Sequence, residues 1–339
     1  MKRRIWIIWV ISFFICPAVS WTQEADSVPA RVSRLEKIIG KLPKISGFIN
    51  LRYQYDGADG SNSFDVRRAR IDIQGDIIPK LDYRLQVEFA GTPKILDAYV
   101  RWKMASFANL QVGQFKLPFT LENPYAPTAL ETIDNSQVID RFASYNDVSG
   151  IKSNGRDIGI SLSGSFFKRE GYNVLEYNAG VFNGNGINNL DMNKKKAFAG
   201  TLSVTPARYF TLAGFYYNGT TTDKERGEQK RMRVGGGAKY EDGKLLLRGE
   251  YITGKTGVLK SEGFYVMAGY FFIPKLQGVV KYDYFQEDKY RKATRSVKYV
   301  VGLNYTVIGK TRLQLNYTYR DNQEEGGSNY VVAQIFAAF

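Results

Sequence analysis

Residues 81–89 read LDYRLQVEF: Leu81, Tyr83, Leu85, Val87 and Phe89 are apolar, while Asp82, Arg84, Gln86 and Glu88 between them are polar. A period of two sends successive side chains to opposite faces of an extended strand, so this segment has one apolar face and one wetted face. The alternation returns in ISGFINLRYQY (45–55), ILDAYVRWK (95–103), KYVVGLNYT (298–306) and RLQLNYTYR (312–320). Sixteen such segments lie near 45–55, 64–76, 80–90, 94–104, 108–116, 155–166, 172–183, 195–205, 208–219, 229–240, 244–254, 261–272, 275–286, 295–307, 310–321 and 329–339. Their connections alternate in length. Short turns such as IIPK (77–80), TPAR (205–208), YEDGK (240–244), FIPK (272–275) and VIGK (307–310) exchange with polar stretches such as NGNGINNLDMNK (183–194), NGTTTDKERGEQ (218–229) and QEDKYRKATR (286–295). Short connections at one end and long ones at the other predict a transmembrane β-barrel. Pro79, Pro206 and Pro274 fall in the short turns, where no ladder donor is lost. The expected fold class is therefore all-β: a sixteen-stranded antiparallel barrel with short periplasmic turns, long outer loops and an inward-folded third loop.

A soluble β-sandwich would alternate too, but its packed face would be Val, Ile and Leu. Here the apolar face ends in aromatics, among them Tyr53, Tyr55, Phe89, Trp102, Tyr240, Tyr251, Tyr282, Tyr284, Tyr305, Tyr317 and Tyr319. These are the residues of interfacial girdles.

Composition narrows the function. The 339 residues carry 47 Lys+Arg against 33 Asp+Glu, a net charge of +14, with no His and a single Cys. The missing His excludes Ser-His-Asp and Cys-His catalysis and His-ligated metals. Without a compact carboxylate or Ser-Lys constellation, the chain is expected to be no enzyme and to need no cofactor. No apolar run of 18 follows the N-terminus, so helical spans are not expected. The basic balance does not point to nucleic acid, because the charges alternate strand by strand and are interleaved with acids.

Lys2, Arg3 and Arg4 precede an apolar stretch from Ile5 to Ile15 and the small-residue pattern Ala18-Val19-Ser20, which predicts a signal peptide over 1–20 and export to the envelope. A single membrane anchor is the competing reading. Residues 21–43 then form a linker containing an amphipathic helix at 27–42, with Val28, Val32, Leu35, Ile39 and Leu42 in register and Pro43 as its stop. It would form a short coiled coil between protomers, lie on the near end of the barrel, or fray. The barrel occupies 44–339.

Four blocks, FDVRRARIDIQG (64–75), YRLQVEFA (83–90), KILDAYVRWK (94–103) and LQVGQFKLPFTLE (110–122), resemble the phosphate-selective porin family of O and P type. The resemblance implies a trimeric porin of the Gram-negative outer membrane, embedded in its lipid, with an arginine-rich, anion-attracting channel for small anionic or polar solutes. The terminal VVAQIFAAF, ending in Phe339, resembles the signal read by the barrel assembly machinery.

If the apolar parity faces lipid, the lumen receives fourteen cations: Arg52, Arg68, Arg70, Arg84, Arg101, Lys103, Arg231, Arg233, Lys239, Arg248, Lys281, Lys298, Arg312 and Arg320. Against them stand eight acids: Asp72, Asp82, Glu88, Asp97, Asp157, Glu176, Glu250 and Asp283. The expected anion site is Arg52, Arg68, Arg70 and Arg84 facing Arg231, Arg233 and Arg248 across the pore, since paired guanidinium donors suit phosphate and carboxylate. Arg68 and Arg70 are expected to carry selectivity. A solvated wall whose bases and acids neutralise each other is the alternative. The loop 117–150 is expected to constrict the lumen, with Glu122, Glu131, Asp134 and Asp140 on it. It has no Lys over 118–140, where the family's phosphate-specific members are expected to place one. An acidic loop opposite an arginine wall suits polar or zwitterionic solutes as well as anions. A non-conducting structural or adhesion barrel is the remaining reading.

Overall fold

The structure, a computed structural model, describes residues 32, 42–191, 193–223, 227–324 and 326–339. The expected signal peptide, and the expected helix at 27–42 apart from Val32 and Leu42, lie outside the described residues. The unit Pro43–Phe339 is a closed barrel. Its strands are β1 (Lys44–Asp56), β2 (Asn62–Ile78), β3 (Leu81–Glu88), β4 (Lys94–Ala105), β5 (Ala108–Lys116), β6 (Arg156–Arg169), β7 (Tyr172–Phe182), β8 (Ala197–Ala207), β9 (Phe210–Asp223), β10 (Gly227–Glu241), β11 (Leu245–Thr256), β12 (Leu259–Ile273), β13 (Leu276–Gln286), β14 (Arg295–Ile308), β15 (Thr311–Asn322) and β16 (Gly326–Ala338). Each pairs antiparallel with its sequence neighbours, and β1 closes the ring on β16, with Phe48 opposite Ala338 and Asp56 opposite Tyr330. Closure leaves no strand edge, so every strand's backbone is paired within the wall, the condition for spanning hydrocarbon.

One face of the alternation meets the outside. Val112, Leu202, Leu247, Val266, Val301 and Leu315 are all exposed on the outer wall, and so are Tyr55, Phe89, Trp102, Tyr251, Tyr305, Tyr317 and Tyr319 of the expected girdles. One loop expectation needs correction. The stretch 218–229 is not a long loop, because β9 runs on to Asp223 and β10 begins at Gly227, paired with it. Threonines 220–222 continue the ladder there, opposite Lys230, Gln229 and Glu228, since β-branched residues favour the extended conformation whether or not they are apolar. The connection after β1 is short as well, residues 57–61.

The ring is sealed by backbone contact. Gly47 and Phe339 exchange N–H···O bonds, both at 3.0 Å, and a Cβ on Gly47 would stand 2.4 Å from the Arg70 carbonyl and 2.5 Å from the Phe339 ring. We expect Gly47→Val to impair closure, read as a lower fraction of heat-resistant, fast-migrating barrel on a denaturing gel. An unchanged fraction would show that the seam tolerates the side chain.

Two β-bulges shape the inner wall. Between β1 and β2, Asn50 opposes Arg68 while Leu51 opposes Val66, so Arg67 is the extra residue. Between β3 and β4, Gln86 opposes Asp97 while Val87 opposes Ile95, so Leu96 is extra. A bulge inverts the facing of everything beyond it.

Candidate functional site

Residues 117–155 connect β5 to β6 and fold into the lumen. Both ends are clamped: Lys116 Nζ donates to the Asn123 and Tyr125 carbonyls at 2.6 and 2.5 Å, and Asn123 Nδ2 donates to the Leu117 and Gly155 carbonyls at 3.1 and 3.0 Å. From there the loop crosses to the far wall. The Leu121 and Glu122 amides donate to the Glu250 carboxylate at 2.7 and 2.9 Å, and Lys281 Nζ donates to Thr132 Oγ1 at 2.9 Å. The Ile133 amide donates to Asn316 Oδ1 at 2.7 Å, and the Gln137 amide to Asp283 at 2.9 Å. The short helix α1 (Gln137–Ala143) buries Val138, Ile139 and Phe142 almost completely. They pack with inward-facing aromatics of the wall, including Phe182, Phe215, Tyr217 and Phe285, and the Phe142 and Phe285 rings meet at 5.5 Å. The lumen therefore contains an apolar core in which a loop is docked.

Where the expected site residues lie follows from that docking. Arg231, Arg233 and Arg248 project inward but are only 4%, 2% and 2% exposed. Arg233 forms a two-pronged pair with Asp147 of the loop, both contacts at 2.7 Å, and Arg248 pairs with Glu131 at 2.6 Å. Arg231 donates to the Gly184 carbonyl at 2.6 Å and to the Tyr217 hydroxyl. The reading of these three as water-lining residues opposite β2 is corrected: all three are buried, Arg233 and Arg248 against carboxylates of the loop and Arg231 against Gly184 and Tyr217. Glu122 and Glu131 lie on this inward-folded loop and are 3% and 8% exposed, bonded to Ser136 and Arg248, so their carboxylates are turned away from open lumen. Burial opposes ionisation of Asp147, but Arg233 and Arg231 outweigh it and hold the carboxyl below the usual carboxylate range.

Along the near wall, cations are paired laterally. Arg52 holds Asp65 with Nε at 3.0 Å, Arg84 holds Asp72 with Nε at 2.8 Å, and the buried Arg70 holds Glu88 at 2.7 Å. Arg68 differs: among the described residues its one hydrogen bond goes to Asn50 Oδ1 at 3.4 Å, and it has no ion pair. Lys298 of β14 likewise has none among the described residues.

Between this wall and the loop lies a polar cavity of about 420 Å³. Arg67, Arg68, Arg70, Lys94 and Lys298 line it, with Glu88, Asp134 and Asp140 as its carboxylates, five cations to three acids. It shares Gln137, Asp140, Asn146 and Lys298 with an outer space of about 630 Å³ beside the β13–β14 connection. A larger concavity, about 970 Å³, lies on the outer wall among Leu51, Phe64, Leu303 and Ile335 and is apolar, so it belongs to the lipid side rather than to the lumen.

Three residues of the inner wall escape a strict parity reading. Arg67 is the bulged residue of β2; it faces inward beside Arg68, donating to the Ile133 carbonyl at 3.1 Å and pairing with Asp134 at 2.5 Å. The signal is a parity switch, because the apolar positions go from even (Phe64, Val66) to odd (Ala69, Ile71, Ile73) across the paired arginines. Lys94 is brought inward by the Leu96 bulge and sits 4.9 Å over the Tyr145 ring. Arg156, at the loop's return, pairs with Asp97 at 2.7 Å and is buried before the alternation of β6 begins.

The fold is matched by known proteins. The pattern of the family described as phosphate-selective porin O and P matches residues 45–337. No curated protein sequence matches the chain. Among solved structures, the anion-selective porin from Comamonas acidovorans is similar, with a TM-score of 0.66, 16% identity, and coverage of 88% of this chain and 99% of that one. OmpT of Vibrio cholerae has a TM-score of 0.62 at 12% identity, covering 87% and 97%. The outer membrane channel DcaP of Acinetobacter baumannii has 0.60 at 15%, covering 88% and 97%. At these identities the structures show a common fold, and the match over nearly the whole barrel shows the family. The chain belongs to the phosphate-selective porins O and P, and is an outer-membrane barrel channel rather than an enzyme.

Proposed function

We propose that this porin passes small solutes by diffusion through the water-filled side of its lumen and prefers anions. The observation that carries the reading is the rim of the polar cavity, five cations to three carboxylates, with Arg68 and Lys298 free of ion pairs among the described residues. A guanidinium that lines a polar cavity without an ion pair keeps donors for a passing phosphate or carboxylate. The similar Comamonas porin is itself described as anion-selective, and one similar OmpT structure is a trimer form. A homotrimer, export by a signal peptide over 1–20, and assembly through Phe339 complete the proposal.

Strict phosphate specificity is not part of it. Residues 118–140 lack lysine, and the two lysines at the cavity come from β4 and β14 instead. Asp134 and Asp140 face the arginine wall from the loop side, which favours the second reading, a general path for polar and zwitterionic solutes.

Single-channel recording tests this. At low salt the reversal potential in a chloride gradient should show anion preference, and millimolar phosphate should reduce chloride current by more than a zwitterionic amino acid does. Cation preference would overturn the anion reading. Equal reduction by both solutes would favour the general path.

A further inference from the structure

The outer wall carries a charged feature that the channel does not use. On β10, Lys230 shares the outward parity of the exposed Met232 and Val234; on β11, Lys255 shares that of Tyr251 and Leu247; on β12, Lys260 shares that of Phe264 and Val266. The register aligns them. Lys255 directly opposes Lys260, Met232 directly opposes Lys255, and Gly257 donates its amide to the Lys230 carbonyl. Lys289, whose amide donates to the Lys260 carbonyl, completes a row of four lysines across neighbouring elements.

Like charges directly opposite one another in a sheet repel. Among the described residues a carboxylate relieves one of the four, Lys289. Glu262 is taken by Lys289 at 2.8 Å and by the Tyr251 hydroxyl at 2.9 Å, and Glu228 pairs with Lys195. Lys260 donates to the Tyr290 hydroxyl at 2.8 Å, and among the described residues Lys255 has no partner.

Depth says what is near. Tyr251 belongs to the aromatic belt of the outer wall, and Lys255 lies four residues beyond it, about 13 Å along the strand at roughly 3.3 Å per residue. That is the headgroup zone, on the end of the barrel that bears the inward-folding loop. Below the lysines the surface is apolar, with Met232, Val234, Phe264 and Val266 facing outward.

We propose that Lys230, Lys255, Lys260 and Lys289 bind the phosphorylated sugar headgroup of an outer-leaflet glycolipid, whose acyl chains lie on the apolar surface beneath. Charge complementarity and the apolar surface together select a lipid over free phosphate, because only a lipid uses both. The inference rests on the outer-membrane placement of the barrel and is independent of ion selectivity.

The test uses the full barrel in neutral detergent, stripped of lipid and titrated with diphosphorylated lipid A or with the same lipid lacking phosphates. Native mass spectrometry reads retained lipid and oligomer mass together. The parent should retain the phosphorylated lipid at least tenfold better than the dephosphorylated one. Lys255→Glu with Lys260→Glu should lose that retention, and the Lys255→Gln, Lys260→Gln pair should lose part of it, while heat resistance and single-channel conductance stay at parental values. Equal retention by parent and variants, equal retention of both lipids, or displacement of the lipid by millimolar inorganic phosphate would overturn the proposal. So would a change of oligomer mass with lipid retention unaltered, which would make this face an interface between copies.

Discussion

Arg68→Glu combined with Lys298→Glu should move the reversal potential of the channel strongly toward cations. The two substitutions change the charge of the cavity rim by four units, turning a surplus of two cations into a surplus of two acids. The pair is chosen because neither side chain has an ion pair among the described residues, so reversal strips no carboxylate of its partner. Arg70 is a poor choice despite its place in the sequence motif: a glutamate there would be buried against Glu88, 4% exposed, and the result would mix selectivity with stability. A unit charge about 4 Å from a passing ion is worth about 1 kcal/mol in water-like surroundings, and more where the loop lowers the effective dielectric. Two reversals thus amount to several kcal/mol between anion and cation. Salt should blunt the shift, since the Debye length falls from about 10 Å at 0.1 M to about 3 Å at 1 M. A reversal potential that stays put at low salt would place the selectivity elsewhere, with Arg67 and Lys94 next in line.

How much of this was legible in the sequence depends on whether period two was kept. Where alternation is unbroken, as in Leu81–Glu88, the face of every residue follows, and the sixteen strands fall within a few residues of their expected places. Where a bulge intervenes, parity carried across it misassigns the residues beyond, and Arg67 and Lys94 were lost in that way. Both bulges deliver a cation to the cavity, so the irregular positions matter most to the channel. The fate of Arg231, Arg233 and Arg248 was hidden for another reason. Their inward facing follows from parity, but their burial depends on a loop more than 80 residues away in sequence, and no local pattern reports that. A partial signal exists in β9, where Phe215, Tyr216 and Tyr217 are consecutive. Tyr216 meets the outside while Phe215 and Tyr217 are 3% and 1% exposed inside, and an aromatic inner face in a porin wall marks a place where something packs.

Arg233→Met should loosen the loop and raise single-channel conductance, with open-channel noise rising as well. The Arg233 and Asp147 side chains are 3% and 2% exposed and form their pair without water between them. Removing one member of a buried pair typically costs about 3–5 kcal/mol, of which Arg231, 3.9 Å from Asp147, offsets a part. That cost falls on the docking of residues 144–155, because the ladders of β9 and β10 involve backbone only and keep the barrel closed. The matched variant, Arg233→Met with Asp147→Leu, removes both charges and should recover much of the quiet conductance, since replacing both partners by apolar groups is often close to neutral. Acid supplies an independent arm. The Asp147 carboxyl titrates below its ordinary range in the folded protein, so its contribution to docking is complete above about pH 4 and fades as pH falls through the lower folded value. The parent's conductance should therefore rise only in strong acid, and the double variant should lack that component. A double variant as noisy as Arg233→Met alone would show that this ion pair does not fasten the loop and would leave Glu250 and Arg248 as its main ties to the far wall.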